Sequence, residues 1–146
     1  MKLVLDASAV AKWFIVEEES GEMRELRKLQ VLGIVDAYAP HFLLVEIANL
    51  LKYSEGLVLE DVLNAIEALK VIGIKMVSDS EILKEAVKEA FENNITVYDA
   101  LYVALAKKLN AKLVTYDSEL LSKYGKIAFK ASHILSTLKK TSRNPL

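Results

Sequence analysis

The stretch KLVLDASAVAKWFI, residues 2–15, predicts a short buried strand that passes directly into a helix. The strand part, KLVLD, is a compact apolar run that ends on an acid, Asp6. Ser8 is the expected N-cap of the helix, because its hydroxyl can accept a hydrogen bond from a free backbone N–H group. Asp6 is therefore predicted at the carboxyl end of the first strand.

The same alternation of strand and helix continues along the chain. Further strands are predicted at 33–40, 74–77, 111–117 and 126–130, and helices at 22–32, 41–53, 60–71, 79–94, 97–106 and 118–124. Because parallel neighbours need crossover connections, this pattern predicts an α/β layered fold with a mainly parallel sheet. We predict one domain over residues 1–138, followed by a frayed tail over residues 139–146.

Composition limits the classes of function. The 146 residues are 53% hydrophobic, enough for one domain with its own core. The net charge is −1, so no global basic field draws the protein onto nucleic acid, and any phosphate binding must be local. Cysteine is absent, which excludes disulfides and thiolate metal sites but leaves oxygen ligands open. Without a signal-like start or a long apolar run, we expect a soluble cytoplasmic protein that does not enter membranes.

Acidic residues stand at two predicted strand ends, Asp6 after LVL and Asp117 after LVTY. In parallel α/β sheets, ligands bind beyond the carboxyl ends of the strands. Either residue alone is also an ordinary turn or N-cap residue, so neither establishes a ligand site by itself.

A third acid, Asp99, lies in the segment TVYDALYVALA, residues 96–106, which is otherwise apolar nearly all the way round. One interpretation is a capping box formed by Thr96 and Asp99 at the start of a buried helix. The other is a cation ligand, because an ionised carboxylate in such surroundings must be paired, hydrogen-bonded or metal-bound. Both uses are compatible if separate lone pairs serve them.

Glu46 is the fourth acid, on the same predicted helix stripe as Asn49 and Tyr53. This stripe is either the solvated face of the helix or the place where Glu46 joins the other acids. Carboxylates crowded into one cleft repel each other unless a cation is present. Because Mg²⁺ and similar hard ions prefer oxygen ligands, a shared metal explains four such acids better than four separate caps.

Four segments of the chain, in this order, carry a family resemblance: LVLDASAVAKWF, LLVEIANLL, VYDALYVALA and LVTYDSEL. Together they resemble the motifs of PIN-domain ribonucleases of the VapC toxin type. The resemblance implies a three-layer α/β/α sandwich with a central, mainly parallel sheet, and metal-dependent endonucleolytic cleavage of RNA. It also implies a toxin role in a toxin-antitoxin pair, with a VapB-type antitoxin and a homodimer.

The resemblance also assigns catalytic and metal-binding roles. The family's acidic positions are occupied by Asp6, Glu46, Asp99 and Asp117. Asp6 and Asp99 are expected to hold the principal Mg²⁺ or Mn²⁺ ion. Asp117 and Glu46 are expected to complete the site, directly or through water, and one of the acids to help deprotonate the attacking water. The implied products carry a 5′-phosphate and a 3′-hydroxyl.

Two hydroxyl residues and one departure complete the comparison with the family. Ser8 and Thr115 stand at hydroxyl positions and are expected to support the site by orienting carboxylates or backbone. Ser118 and Glu119 stand where a basic residue is often expected, so a phosphate contact from that turn is in doubt.

Several positions keep two interpretations. Trp13, Phe14 and Ile15 either fill the space between the first two helices or form a groove for an antitoxin segment. Apolar helix faces near Leu50 and Leu51 are candidates for homodimer contacts. The basic residues that either approach RNA or are simply solvated are Lys12, Arg24, Arg27 and Lys28.

Two other classes of protein compete with the nuclease. A phosphoacceptor receiver domain would share the α/β fold, and Lys130 after the last strand resembles its lysine. That class is disfavoured because the first strand carries a single acid and IKMVS, residues 74–78, has no terminal aspartate. A noncatalytic PIN-like module that binds RNA or protein is the stronger alternative, because the same acids do not guarantee turnover.

Overall fold

The computed structural model of the chain describes residues 1–143. The strands are β1 (Lys2–Leu5), β2 (Asp36–Pro40), β3 (Lys75–Val77), β4 (Lys112–Val114) and β5 (Ala128–Phe129). The helices are α1 (Ala7–Val10), α2 (Ser20–Val31), α3 (Phe42–Lys52), α4 (Leu59–Ile72), α5 (Asp79–Asn93), α6 (Val97–Leu109), α7 (Ser118–Lys123) and α8 (Ala131–Arg143). A short 3-10 turn, Ala11–Trp13, extends α1.

The five strands form one parallel sheet in the order β3-β2-β1-β4-β5. The chain first adds strands on one side of β1 and then returns to add β4 and β5 on the other side. Since crossovers are right-handed, this reversal places helices on both faces of the sheet. The predicted α/β/α fold is confirmed. The gap between β1 and β4, where the strand order reverses, is the expected ligand position in such sheets.

Helix α6 forms much of the core. Every residue from Ala100 to Ala106 is buried, because α6 contacts α5 on one side and β1, β2 and β4 on the other. The apolar pattern predicted such a helix, buried on several sides. Its position brings Asp99, in its first turn, toward the carboxyl ends of the central strands.

Two local predictions at the strand ends need correction. Asp6, not Ser8, is the N-cap of α1, and its Oδ1 accepts a hydrogen bond from the backbone N–H of Ala9 at 3.1 Å. Ser8 lies inside α1, which leaves its hydroxyl available for other contacts. Strand β4 is also shorter than predicted and ends at Val114, so Asp117 lies beyond it as the N-cap of α7.

The carboxyl-terminal helix α8 was not predicted. Residues 139–143, expected to be frayed, are helical, and residues 144–146 of the predicted tail lie outside the described residues. Distant groups hold the start of α8, since the Tyr116 hydroxyl accepts from Ala131 N at 3.1 Å and Glu19 accepts from Ser132 N at 2.9 Å. Local sequence gives no sign of these contacts. The predicted boundary at residue 138 falls inside this helix.

Within residues 1–143, none of the helices combines the length and the apolar character that crossing a bilayer requires.

Candidate metal-binding site

The site is built around Asp6, which directly follows the central strand β1 and is only 6% exposed. Ser8 Oγ donates to its Oδ1 at 2.6 Å, and Thr115 Oγ1 donates to its Oδ2. Burial raises the pKa of Asp6 to about 6, while these hydrogen bonds oppose the rise and the charge of Asp99 adds to it. The hydrogen bonds thus fix the orientation of the carboxylate. Its ionised form is still destabilised, and a nearby cation would stabilise it.

The hydroxyls of Ser8 and Thr115 connect Asp6 to the loop after β4. Ser8 Oγ accepts from the backbone N–H of Tyr116 at 2.9 Å, and Thr115 Oγ1 accepts from that of Asp117 at 3.1 Å. Each hydroxyl therefore donates to the carboxylate and accepts from the loop backbone. This arrangement sets the position of Asp117 relative to Asp6.

Glu46 lies on α3 and reaches the site through an unforeseen partner. The hydroxyl of Tyr102, a residue only 1% exposed, donates to Glu46 Oε1 at 2.5 Å. Burial raises the pKa of Glu46 to about 7; the Tyr102 hydrogen bond opposes this rise, and the charges of Asp6 and Asp99 increase it. Burial and the charge of Glu46 also raise the pKa of Tyr102, so its hydroxyl stays a donor.

Asp99 is half-buried in the first turn of α6. Thr96 caps this helix, since its hydroxyl accepts from the backbone N–H of Asp99 at 3.1 Å. The return bond from Thr96 N to the Asp99 carboxylate, which would complete the predicted capping box, is absent from the described part of the chain. Burial and the charges of Asp117 and Glu119 raise the pKa of Asp99, and the Thr96 side chain opposes the rise. The predicted capping box is thus only half formed.

The four predicted acids lie close enough to act on one another. The charge of Asp99 raises the pKa of both Asp6 and Glu46, and the charge of Asp117 raises that of Asp99. Within residues 1–143, no Lys or Arg forms an ion pair with any of these acids. The cluster therefore lacks a cationic partner from the protein.

This donor set fits a hard divalent cation. Carboxylate oxygens are the ligands that Mg²⁺ uses in proteins, generally one or two together with several waters. Among the described residues, no group of three His, Asp or Glu side chains is already close enough to hold a metal. The described carboxylates therefore lie around the end of β1 without forming a complete set of protein ligands for a metal.

The polar stripe formed by Glu46, Asn49 and Tyr53 is partly solvated face and partly acid site. Asn49 and Tyr53 are exposed and form the solvated face, whereas Glu46 is partly buried among the acids.

Sequence reasoning missed Tyr102. Its spacing of three from Asp99 on a buried helix was the available signal, because such residues share a helix face.

The candidate basic residues fall into two groups. Lys12 is buried, at 6% exposure, and pairs with Glu17 at 3.2 Å. The exposed residues lie on α2 and are Arg24, Arg27 and Lys28. Lys12 lines a cavity that Ser8 also lines.

The apolar segment after α1 packs against the core. Trp13 Nε1 donates to Met23 O at 2.8 Å, and Phe14 and Ile15 also pack against buried residues. The space-filling interpretation is therefore supported. Of the two leucines that mark the candidate homodimer face, Leu51 is fully buried within the protomer and Leu50 is partly exposed.

The fold and the acid cluster define a class of protein that sequence comparison identifies. Residues 3–127 match the PIN domain family, and the chain belongs to this family. Ribonuclease VapC3 of Pyrobaculum aerophilum is 41% identical over 130 residues, which cover 85% of this chain and 95% of that protein. The predicted family resemblance is confirmed.

Solved structures agree with this assignment of the fold. PAE2754 of Pyrobaculum aerophilum is 23% identical with a TM-score of 0.70, over 96% of both chains. The sarcin-ricin loop cleaving toxin VapC20 of Mycobacterium tuberculosis is 13% identical with a TM-score of 0.66, over 84% of this chain and 95% of the other. VapBC2 of Rickettsia felis, bound to promoter DNA, is 14% identical with a TM-score of 0.64, over 89% and 98%.

Proposed function

We propose that this protein is a metal-dependent endoribonuclease that hydrolyses RNA phosphodiester bonds and acts as the toxin of a toxin-antitoxin pair. The membership in the PIN family and the 41% identity to a ribonuclease support this activity. The observation that carries the proposal is the group of acids around Asp6, which lie at the sheet's switch point without a cationic partner among the described residues.

The cofactor is a divalent metal ion, as is general for nucleases of this family, and we propose Mg²⁺ or Mn²⁺. When bound, such an ion lowers the pKa of water and offsets charge that develops on the phosphoryl oxygens. The protein's own contribution is to hold its carboxylates in fixed directions at the end of β1. Asp6 is the best fixed of them, because three hydrogen bonds orient its two oxygens.

The four acids have different proposed roles. Asp6 and Asp99 are the principal ligands, and Asp117 completes the site from the N-cap of α7. Glu46 is the candidate proton acceptor, because the Tyr102 hydroxyl holds its carboxylate at the site and burial raises its pKa toward the range of a general base. The hydroxyls of Ser8 and Thr115 orient the Asp6 carboxylate relative to the loop that carries Asp117. The expected products, a 5′-phosphate and a 3′-hydroxyl, are those implied by the family.

The proposed partners are an RNA substrate and a VapB-type antitoxin. One structural relative is a toxin that cleaves the sarcin-ricin loop, and another is a VapBC complex on promoter DNA. An RNA target and an antitoxin partner for this chain agree with both. The homodimer, with contacts near Leu50, and the cytoplasmic location stay predictions.

The test is RNA cleavage by purified protein, with Mg²⁺, with Mn²⁺ and with EDTA. We expect cleavage with either metal, none with EDTA, and loss of activity in Asp6→Asn and Asp99→Asn. Asp36→Asn is the matched control, since Asp36 is a half-exposed carboxylate that pairs with Lys75 at the start of β2, the end of the strand opposite the site. Equal cleavage by folded Asp6→Asn and wild type would contradict the site. RNA binding without cleavage by the wild type would instead support the noncatalytic module.

A further inference from the structure

Lys12 is a buried ammonium group four residues after Ser8. Its side chain is 7% exposed, and its Nζ lies 3.2 Å from Glu17 Oε2 and 4.2 Å from the centre of the Tyr116 ring. A buried charge is costly unless it is paired. Glu17 offsets the cost of burying this charge only weakly, because its own side chain is 43% exposed and can turn into solvent.

Lys12 also lines a cavity of about 370 Å³, together with Ser8, Tyr116 and the exposed side chains of Glu17 and Glu18. Ser8 lines the same cavity, and its hydroxyl donates to Asp6 at 2.6 Å. Tyr116 forms another part of the wall, and its backbone N–H donates to the same Ser8 oxygen at 2.9 Å. One hydroxyl therefore separates the lysine cavity from the Asp6 carboxylate.

The ammonium group has hydrogen-bonding capacity left for an anion. A lysine side chain carries three donors. Over residues 1–143, Glu17 Oε2 is the sole hydrogen-bond acceptor of Lys12 Nζ, and the Tyr116 ring provides only a cation-π contact. An anion in the cavity can thus bond to Lys12 beside Glu17 or in its place.

The proposed substrate needs such a cation. RNA brings a negatively charged backbone to a group of carboxylates in a protein whose net charge is −1. The exposed basic residues of α2 lie on the outer face of that helix, whereas Lys12 shares a cavity with a residue that touches Asp6. Lys12 is therefore the candidate basic residue that shares a cavity with a hydrogen-bond partner of Asp6.

We propose that Lys12 binds an RNA backbone phosphate adjacent to the one that is cleaved, in the cavity beside Ser8. Glu17 holds the ammonium in the free protein and yields to the phosphate. This contact fixes the RNA backbone over Asp6. The inference rests on the proposed function, because it assigns a substrate contact to the same site.

The test combines steady-state cleavage with RNA binding in Ca²⁺, using a mixed-sequence single-stranded RNA. Lys12→Gln is expected to raise KM by about tenfold or more, the loss typical of a charge-assisted hydrogen bond, with a smaller effect on kcat. The slope of log Kd against log salt is expected to fall by about 0.7, the value for one lost phosphate contact on a single strand. Lys12→Arg is expected to retain the wild-type slope.

Lys75→Gln is the matched control. Lys75 also pairs with a carboxylate at 3.2 Å, on Asp36, and lies 5.2 Å from the ring centre of Tyr38. It lies at the start of β3, away from the carboxyl end of the sheet. We expect KM and the salt slope of Lys75→Gln to match the wild type, since the ion pair lost there is exposed and lies at the opposite end of the sheet.

Glu17→Gln separates substrate binding from a purely structural role. Release of the ammonium is expected to tighten RNA binding, whereas loss of a structural ion pair would not. If Lys12→Gln fails to fold, this variant decides: unchanged or weaker RNA binding by Glu17→Gln overturns the proposal. Unchanged KM and salt slope in a folded Lys12→Gln protein also overturn it.

The outcomes distinguish this proposal from the nuclease function. Wild-type cleavage with no effect of Lys12→Gln would overturn the phosphate site and leave the nuclease standing. RNA binding with a Lys12-dependent slope but without cleavage would support the phosphate site and contradict the nuclease. Neither binding nor cleavage by wild type would overturn both.

Discussion

Thr115 and Asp6, 109 positions apart, are joined by a buried hydrogen bond from Thr115 Oγ1 to Asp6 Oδ2. Thr115 Oγ1 also accepts a hydrogen bond from the backbone N–H of Asp117 at 3.1 Å. One threonine hydroxyl therefore connects the acid after β1 with the acid that caps α7. Its fully buried position keeps water from replacing either bond.

The first prediction concerns this hydroxyl. Thr115→Val keeps the side-chain shape but removes the donor to Asp6 and the acceptor for Asp117 N. We expect metal affinity and cleavage to fall about 10- to 100-fold, as is typical when a group that orients a metal ligand is lost. The stability cost is about 1–3 kcal/mol, because buried polar groups lose their partner. Metal titration, cleavage rates and urea unfolding measure these effects.

Thr115→Ser is the control for that substitution. It retains the hydroxyl, so we expect cleavage close to that of the wild type, with a small loss of packing. Equal damage in the serine and valine variants would show that the methyl group, and not the hydrogen bond, is what the site requires.

A second prediction concerns the pair formed by Glu46 and Tyr102. In the wild type, the hydrogen bond from the Tyr102 hydroxyl lowers the pKa of Glu46. Tyr102→Phe removes this hydroxyl, so we expect the pKa of Glu46 to rise. The rising limb of the pH profile of kcat/KM then shifts to higher pH if Glu46 is the proton acceptor. Cleavage assays across pH 5–9 measure this shift.

A double-mutant cycle with Glu46→Gln supplies the control. Residues in direct contact should show non-additive effects, so Tyr102→Phe should change little once Glu46 is gone. Fully additive losses would contradict a role for Tyr102 through Glu46.

The third prediction is the pH dependence of stability without metal. The folded pKa values of about 6 for Asp6 and about 7 for Glu46 exceed the values near 4 of unfolded carboxyls. The folded state then binds protons more tightly, so the contribution of these groups is full below about pH 4 and is lost as pH rises through about 6–7. Unfolding in EDTA between pH 5 and 8, compared with Glu46→Gln, isolates the Glu46 share.

Divalent metal should reverse this trend. Binding of Mg²⁺ or Mn²⁺ requires ionised carboxylates, so the stabilisation from added metal should be larger at pH 8 than at pH 5. A stabilisation that is equal at both pH values would contradict binding by these acids.

The fourth prediction concerns Glu89, which joins three helices away from the site. Its carboxylate accepts from Lys107 at 2.8 and 2.9 Å and from Tyr124 and Asn93 at 2.9 Å each. We expect Glu89→Ala to reduce the free energy of unfolding by about 1–3 kcal/mol, because the buried Tyr124 hydroxyl loses its acceptor. The exposed neighbour Glu92 gives the control, and Glu92→Ala should cost less than about 0.5 kcal/mol.

The sequence predicted the parts of the fold that depend on local pattern. Apolar runs located all five strands, and the near-continuous apolar character of α6 predicted its burial. Local pattern misplaced the cap of α1, because Asp6 and Ser8 are both good N-cap residues and only the tertiary contact to Thr115 distinguishes them. Helix α8 was missed because its start is held by Glu19 and Tyr116, which are distant in sequence.

The candidate site was predictable in composition but not in its supporting contacts. The predicted strand ends identified Asp6 and Asp117, the apolar surroundings of α6 identified Asp99, and the polar stripe on α3 identified Glu46. The partner of Glu46 was not foreseen, since Tyr102 is typical of an apolar core and only the crossing of α3 and α6 brings the two together. Lys12 was indistinguishable from a surface lysine because its burial depends on Tyr116, more than a hundred residues away.

The central claim is that these distant carboxylates share one divalent cation. Crystals of the protein soaked in Mn²⁺ test it most directly through the anomalous scattering of the metal. We predict a peak about 2 Å from an oxygen of Asp6 and an oxygen of Asp99, next to Glu46 and Asp117, that disappears in Asp6→Asn. No peak at this position, or a peak that persists in the variant, would contradict the account.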